Sequence, residues 1–295
     1  MNKKKIILVL VVALAALLLS ACGGRSTIVN TWSGLSADAE RAYLASGSHV
    51  YGVDAATGKE IWRFPLETDS NLLFYANPVL TEDGQLLVGS EGNTHELVSL
   101  NPATGKENWV EPFLDAKGRW VASPLVLNER IYAPNSDGFL YTLDLKTGQS
   151  VADPIELGGA LWATPISDGE LIYVTSLDHH LHIIDPATGE TAEPLDLGGA
   201  SPSSPVVGED GVYIGSFDST IQFVTPSGEN EIIATAPDWI WGTPSLDNGV
   251  LYYADLSGNL FALDLESNTQ LWNELKTDGS VVANLLVVED QIYIA

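Results

Sequence analysis

The chain has 295 residues, and its 13 Lys and Arg against 39 Asp and Glu leave a formal charge of −26. That balance disfavours a nucleic-acid partner, which requires a basic face to displace counterions from phosphate. With 45% hydrophobic and 18% charged residues it is not a disordered chain, one large domain or two ordinary ones fit its length, and a single Cys excludes an intramolecular disulfide framework.

The N-terminus reads as an address. Lys3, Lys4 and Lys5 precede an apolar run from Ile6 to Leu19, too short to span a bilayer but right for a signal peptide over residues 1–21. The run ends in Leu19-Ser20-Ala21-Cys22-Gly23, which resembles the bacterial lipobox, and Cys22 is the only Cys in the chain. Lipidation at Cys22 would tether the mature protein to a membrane without spanning it. Removing residues 1–21 leaves 10 basic against 39 acidic residues, a charge of −29. Residues 22–31 are expected to be a lipidated N-terminus and linker, in which Ser26 to Thr31 has the phase of an outermost, ring-closing strand.

From residue 32 to 295 one motif repeats. Asp54-Ala-Ala-Thr-Gly58-Lys-Glu-Ile-Trp62 returns as Asn101-Pro-Ala-Thr-Gly105-Lys-Glu-Asn-Trp109. It recurs at Asp144 to Gly148, Asp185 to Gly189, Thr225 to Gly228 and Asp264 to Asn268, at steps of 39–47 residues. A second anchor runs in phase: Asn77-Pro78, Ser123-Pro124, Thr164-Pro165, Ser204-Pro205 and Thr243-Pro244. Each unit reads as four short strands. In the fifth unit these are Val206-Val207 after its Ser-Pro, Val212 to Ile214, Ile221 to Val224 and Glu231 to Ala234, bounded by Asp, Gly and Pro turns. The Gly of Asp-x-x-Thr-Gly sits where the turn between third and fourth strands needs a positive φ, which accounts for Asn268 as its substitute. The Asp, Asn or Thr before it is placed to hydrogen-bond the turn backbone.

Four strands in about 40 residues is the arithmetic of a propeller blade. The combination Ser/Thr-Pro, Tyr-Val/Ile-Gly-Ser and Leu-Asp-x-x-Thr-Gly-x-x-x-Trp resembles the pyrroloquinoline-quinone-like (PQQ-like) β-propeller repeat. WD40 repeats share the period without this signature. The expected fold is all-β: a propeller of four-stranded antiparallel blades, seven or eight in the full protein. Six blades are complete here, and a seventh begins at Val281 to Val288 and breaks off at Gln291 to Ala295, so the propeller over 32–295 is expected to be C-terminally incomplete. The resemblance implies that the closing Trp, present at Trp62, Trp109 and Trp272 and missing from the third to fifth units, docks neighbouring blades.

The PQQ-like family holds quinoprotein dehydrogenases and non-enzymatic BamB-like assembly lipoproteins. The enzymes, by that resemblance, hold PQQ over the channel with Ca²⁺, an Asp base and often a vicinal disulfide, which a chain with one Cys cannot form. No clustered Asp loop offers the oxygen ligands a hard cation needs, and no nucleophile elbow appears. The expectation is therefore no catalytic residues, no PQQ or other cofactor and no enzyme, with a PQQ-dependent dehydrogenase-like enzyme or small-ligand sensor as the alternative. His180 and His182 share a strand face at zinc-ligand spacing. Against a metal role, Asp178-His179 aligns with the hairpin turns Asp137-Gly138 and Ser257-Gly258, so no metal site is expected.

Tyr75, Trp162 and Trp241 each stand three residues before the Pro that opens the innermost strand, and Trp120 stands four before its own. That phase puts them on one rim of the channel, either as partner anchors or as plugs between blades. The resulting expectation is a monomeric propeller, lipid-anchored on the extracytoplasmic side of the cell envelope. It acts as a scaffold that binds an envelope protein and no nucleic acid.

Overall fold

A computed structural model describes residues 33–272, 275–288 and 291–294. The expected signal peptide, Cys22, the linker with Ser26 to Thr31, and Trp32 lie outside the described residues. Among the described residues there is no helix, and the strands form seven antiparallel sheets in chain order.

Blade 1 comprises Gly34–Ala37, Arg41–Ser46, His49–Asp54 and Glu60–Phe64. Blade 3 runs from Leu125–Leu127 to Ile155–Glu156, blade 4 from Ile166–Ser167 to Leu195–Asp196, blade 5 from Val206–Val207 to Asn230–Thr235, and blade 6 from Ser245–Asp247 to Leu275–Lys276. Leu286–Val288 and Gln291–Tyr293 pair as the start of a seventh. The innermost strands of blades 1 and 2, of blades 4 and 5 and of blades 6 and 7 lie against one another, and the all-β blades form the propeller expected from the repeat.

Blade 2 departs from four strands. Val79–Leu80, Leu86–Gly89 and Leu97–Leu100 pair regularly, but the fourth position is reduced to isolated bridges from Leu100 to Glu107 and Leu97 to Phe113. In blades 3 and 4 the outer edge is also split: single bridges at Ser150 and Thr191 precede the short strands Ile155–Glu156 and Leu195–Asp196. Pro154 and Pro194 lie in these gaps, where a residue without an N–H suits only an edge.

Both turn motifs have a visible cause. Gly58, Gly105, Gly148, Gly189 and Gly228 all have φ between 68° and 83°, and Asn268 has φ 51°. The side-chain oxygen of Asp54, Asn101, Asp144, Asp185 or Asp264 accepts the N–H of the Thr or Ser three residues on. The Asn/Ser/Thr-Pro anchor is a clasp between blades. The Thr164 N–H donates to Ser204 Oγ at 2.9 Å, that of Ser204 to Thr243 Oγ1 at 3.1 Å, and that of Thr243 to Asn284 Oδ1 at 2.9 Å.

The core is distributed over the seams. Middle strands are buried on both faces, so their residues alternate between two neighbours. In blade 3, Ile131 and Ala133 join the cluster shared with blade 2, whereas Tyr132 joins the one shared with blade 4. Six such clusters follow along the chain.

Two seams are closed by the repeat's Trp. Trp62 Nε1 donates to Pro102 O at 2.9 Å and Trp109 Nε1 to Leu145 O at 3.1 Å, each indole lying over the turn Gly of the next blade. A Cβ at Gly105 would fall 2.5 Å from the Trp62 ring and one at Gly148 2.4 Å from that of Trp109, so these glycines are required by close approach as well as by φ.

Candidate functional site

The segments entering blades 2 to 6 each have three consecutive residues with different tasks. In the segment entering blade 4, Ala160 O accepts the N–H of Leu177, in that blade's own hairpin between second and third strands, and the next residue, Leu161, donates its N–H to Asn135 O in the preceding blade's hairpin. The same pair of bonds recurs at Arg119 and Trp120, at Ala200 and Ser201, and at Trp239 and Ile240. One extended segment thus staples two blades. Side chains alternate along it, so the stapling donor's side chain enters the seam and the next one faces outward.

That alternation sorts the aromatic candidates. Tyr75, Trp162 and Trp241 hold equivalent outward positions on blades 2, 4 and 6; Trp162 is 38% exposed, and Tyr75 and Trp241 are half-buried. Trp120 is corrected. Its offset of four instead of three places it with the inward residues Phe74, Leu161 and Ile240, and it is 1% exposed. Its ring lies 6.1 Å from Phe113 and 5.9 Å from Tyr141, and its Cβ presses on Gly89. It fills the seam between blades 2 and 3 and offers nothing to a partner.

Two further aromatic residues of this region were not picked out from the sequence. Trp239 is 49% exposed, and Phe217, at the tip of blade 5's hairpin, stacks on it at 4.8 Å and 19° while lying 5.2 Å from Trp241. The available signal was the place of Trp239 two residues before Trp241, on the same side of an alternating segment, where blades 2 to 5 carry Leu73, Arg119, Ala160 and Ala200. Asp238 fixes this loop: its carboxylate accepts the Ser257 hydroxyl at 2.7 Å and the Trp239 N–H at 2.8 Å. Those two bonds, Ser257 first, hold its carboxyl below the usual range. Exposed Asp218 adjoins the same hairpin. The result is an apolar cluster of three rings, Trp239 stacked on Phe217 and Trp241 tilted against it at 48°, bordered by carboxylates, an arrangement fitted to binding by burial and to cationic neighbours.

The histidines occupy the expected hairpin. His179 has φ 79°, matching Gly138 and Gly258 at the equivalent turns. His180 Nδ1 is 2.9 Å from Asp178 O, and His182 Nε2 is 3.8 Å from Asp178 Oδ2. His182 is buried within the third strand of blade 4, and desolvation holds its imidazole below the ordinary range. No group of three or more His, Cys, Asp or Glu side chains set to hold a metal occurs among the described residues.

Comparison with known proteins agrees with this architecture. The BamB of Moraxella catarrhalis superposes with a TM-score of 0.69 at 19% identity, over 89% of this chain and 78% of that one. The computationally designed Ika8 protein superposes at 0.74 with 13% identity, over 88% and 79%. Outer membrane protein assembly factor BamB of Legionella pneumophila is 28% identical over 45% of this chain and 32% of its own length. The namesake from Moranella endobia is 26% identical over 48% and 33%. The matched segments thus span about a third of the length of these curated relatives. A family profile described as outer membrane protein assembly factor BamB matches residues 46–274. The chain belongs to that family of PQQ-like β-propellers.

Proposed function

We propose that this protein is a non-enzymatic scaffold, anchored through a lipidated Cys22 on the extracytoplasmic side of the cell envelope, that binds an envelope protein through its aromatic rim. The observation that carries the reading is the cluster of Trp239, Phe217 and Trp241, three aromatic rings gathered at one blade junction. Trp is enriched among residues that dominate binding energy, and a pre-stapled loop loses little entropy when a partner docks. With Asp218 and Asp238 beside the stack and a chain charge of −26, the complementary partner surface is basic. The relatives' name supports an outer-membrane protein assembly machine as the setting.

The test is to replace Trp239 and Trp162 by Ala in the full chain and measure capture of partners from envelope extract beside the melting temperature. Loss of capture by roughly 30-fold, equivalent to about 2 kcal/mol, with an unchanged melt supports the rim. Undiminished capture refutes it. Cys22→Ser, in parallel, is expected to move the protein out of the membrane fraction, and normal processing with full membrane retention would refute the anchor.

A further inference from the structure

The third unit lacks the closing Trp, and the consequence is a hole of defined shape. In blades 1 and 2 the Trp stands four residues after the turn Gly, at Trp62 and Trp109; in blade 3 that position is Ala152. The backbone register is unchanged, since Val151 N–H donates to Thr142 O as Asn108 N–H donates to Ser99 O. What is missing is only the ring.

Between blades 3 and 4 there is a cleft of about 330 Å³ bounded by Ala152, Thr142, Tyr132, Pro186 and Gly189. These walls correspond one for one to the surroundings of Trp62. Tyr132 stands for Tyr43, Pro186 for Pro102 and Gly189 for Gly105, while Thr142 replaces Gly52, where a Cβ would fall 2.2 Å from the Trp62 ring; in blade 2 Ser99 holds that position and Trp109 still docks, so a guest ring follows the Trp109 placement. Around Trp62 the Tyr43 ring lies 6.2 Å away and Pro102 O accepts the indole N–H. Nothing lies within 4 Å of where a Cβ at Gly189 would point, although the equivalent Gly105 and Gly148 are covered by indole. The Pro186 carbonyl is approached at 3.3 Å by both the Tyr132 hydroxyl and an Arg130 guanidinium nitrogen, long bonds in place of the 2.9 Å indole bond. The floor, Tyr132, Thr142 and Ile184, is buried, whereas the lip at Asp153, Ala187 and Thr188 is exposed.

We propose that this vacated slot receives the indole of a Trp presented by a partner polypeptide. The occupant is identified by the molecule itself, because two neighbouring seams carry an indole over the equivalent turn Gly, Gly105 or Gly148, with its N–H on the equivalent carbonyl, Pro102 O or Leu145 O. The volume is ample, since a cavity of roughly 150 Å³ already admits benzene. The cleft opens beside Asp153 in a strongly acidic chain, so the guest Trp has basic neighbours in its own sequence. The site is distinct from the aromatic rim and stands or falls separately from it.

The test uses the full chain and a peptide, acetyl-Lys-Gly-Trp-Gly-Lys-amide, carrying 5-fluorotryptophan and followed by fluorine NMR. Saturable binding is expected, reduced at least tenfold when Ala replaces Trp in the peptide or when Ala152→Trp fills the slot from within. That variant is also expected to melt higher than the parent, while Ala152→Ser binds as the parent does. If Ala152→Trp does not fold, Ala152→Leu serves, and loss of binding is again expected. Absence of saturable binding, or equal binding by the filled variants, overturns the proposal. Free indole binding as tightly as the peptide, or a slot-dependent dimer in sedimentation, overturns the assignment to a partner polypeptide. Trp239→Ala is expected to leave peptide binding unchanged.

Discussion

Replacing Trp120 by Ala separates a seam residue from a recognition residue. The side chain is almost wholly buried against Phe113, Tyr141 and Gly89. An aromatic of this size buries about 150–250 Å², which at about 25 cal/mol per Å² corresponds to ~4–6 kcal/mol. One term runs the other way: Nε1 of Trp120 is buried without a hydrogen-bond partner among the described residues, so its removal returns about 1–2 kcal/mol of desolvation cost. The net loss is ~3 kcal/mol, within the usual range for Trp to Ala in a core. At about 2–4 °C per kcal/mol for a domain of this size, the melting temperature falls by roughly 6–12 °C. Urea unfolding followed by circular dichroism, with calorimetry, measures both. Trp120→Phe keeps most of the packing and removes the orphan donor, so it costs about 1 kcal/mol or less. A loss below about 1 kcal/mol for Trp120→Ala, accompanied by loss of partner capture, would refute the seam assignment.

Asn268 replaces Gly at a left-handed turn, so Asn268→Val costs about 1–2 kcal/mol while Asn268→Gly is neutral, read from urea midpoints. Burial pushes the Glu91 carboxyl up to about 7, against the opposing charge of Arg119. A carboxyl raised above its unfolded value of about 4.5 favours the fold most below that pH, and the contribution is lost as pH rises through 7. Glu91→Gln removes this dependence and stabilises at pH 8 by at most ~3 kcal/mol; a parallel stability–pH curve for variant and parent would refute it.

The propeller was legible because its turn chemistry is local. Gly58 and its counterparts, Asn268 included, announce a positive φ, and the Asx or Thr before them announces the turn. Both signals survive in six units although the strands between them share little sequence. The rim was less legible, because a difference of one residue reverses which way a side chain points in an extended segment. Trp120, one residue off the phase of Trp162, is a core residue on that account alone. Trp239 was invisible to periodicity because its counterparts Leu73, Arg119, Ala160 and Ala200 share no residue type that marks a surface. The split outer edges of blades 3 and 4 follow from Pro154 and Pro194, whose spacing the repeat does not fix. The slot at Ala152 was readable as a missing Trp, but its depth depended on whether Gly189 would be covered by something else.

The staple has a bearing on how such a surface changes over time. Two backbone bonds per segment hold adjoining blades together, and the outward side chain that follows takes no part in either. Tyr75, Val121, Trp162, Pro202 and Trp241 are therefore five variable positions on a fixed frame, and their diversity in this one chain is what such freedom permits. New specificity can be written there by single substitutions that leave both backbone bonds in place, while the neighbouring inward positions stay confined to side chains that fit their seams.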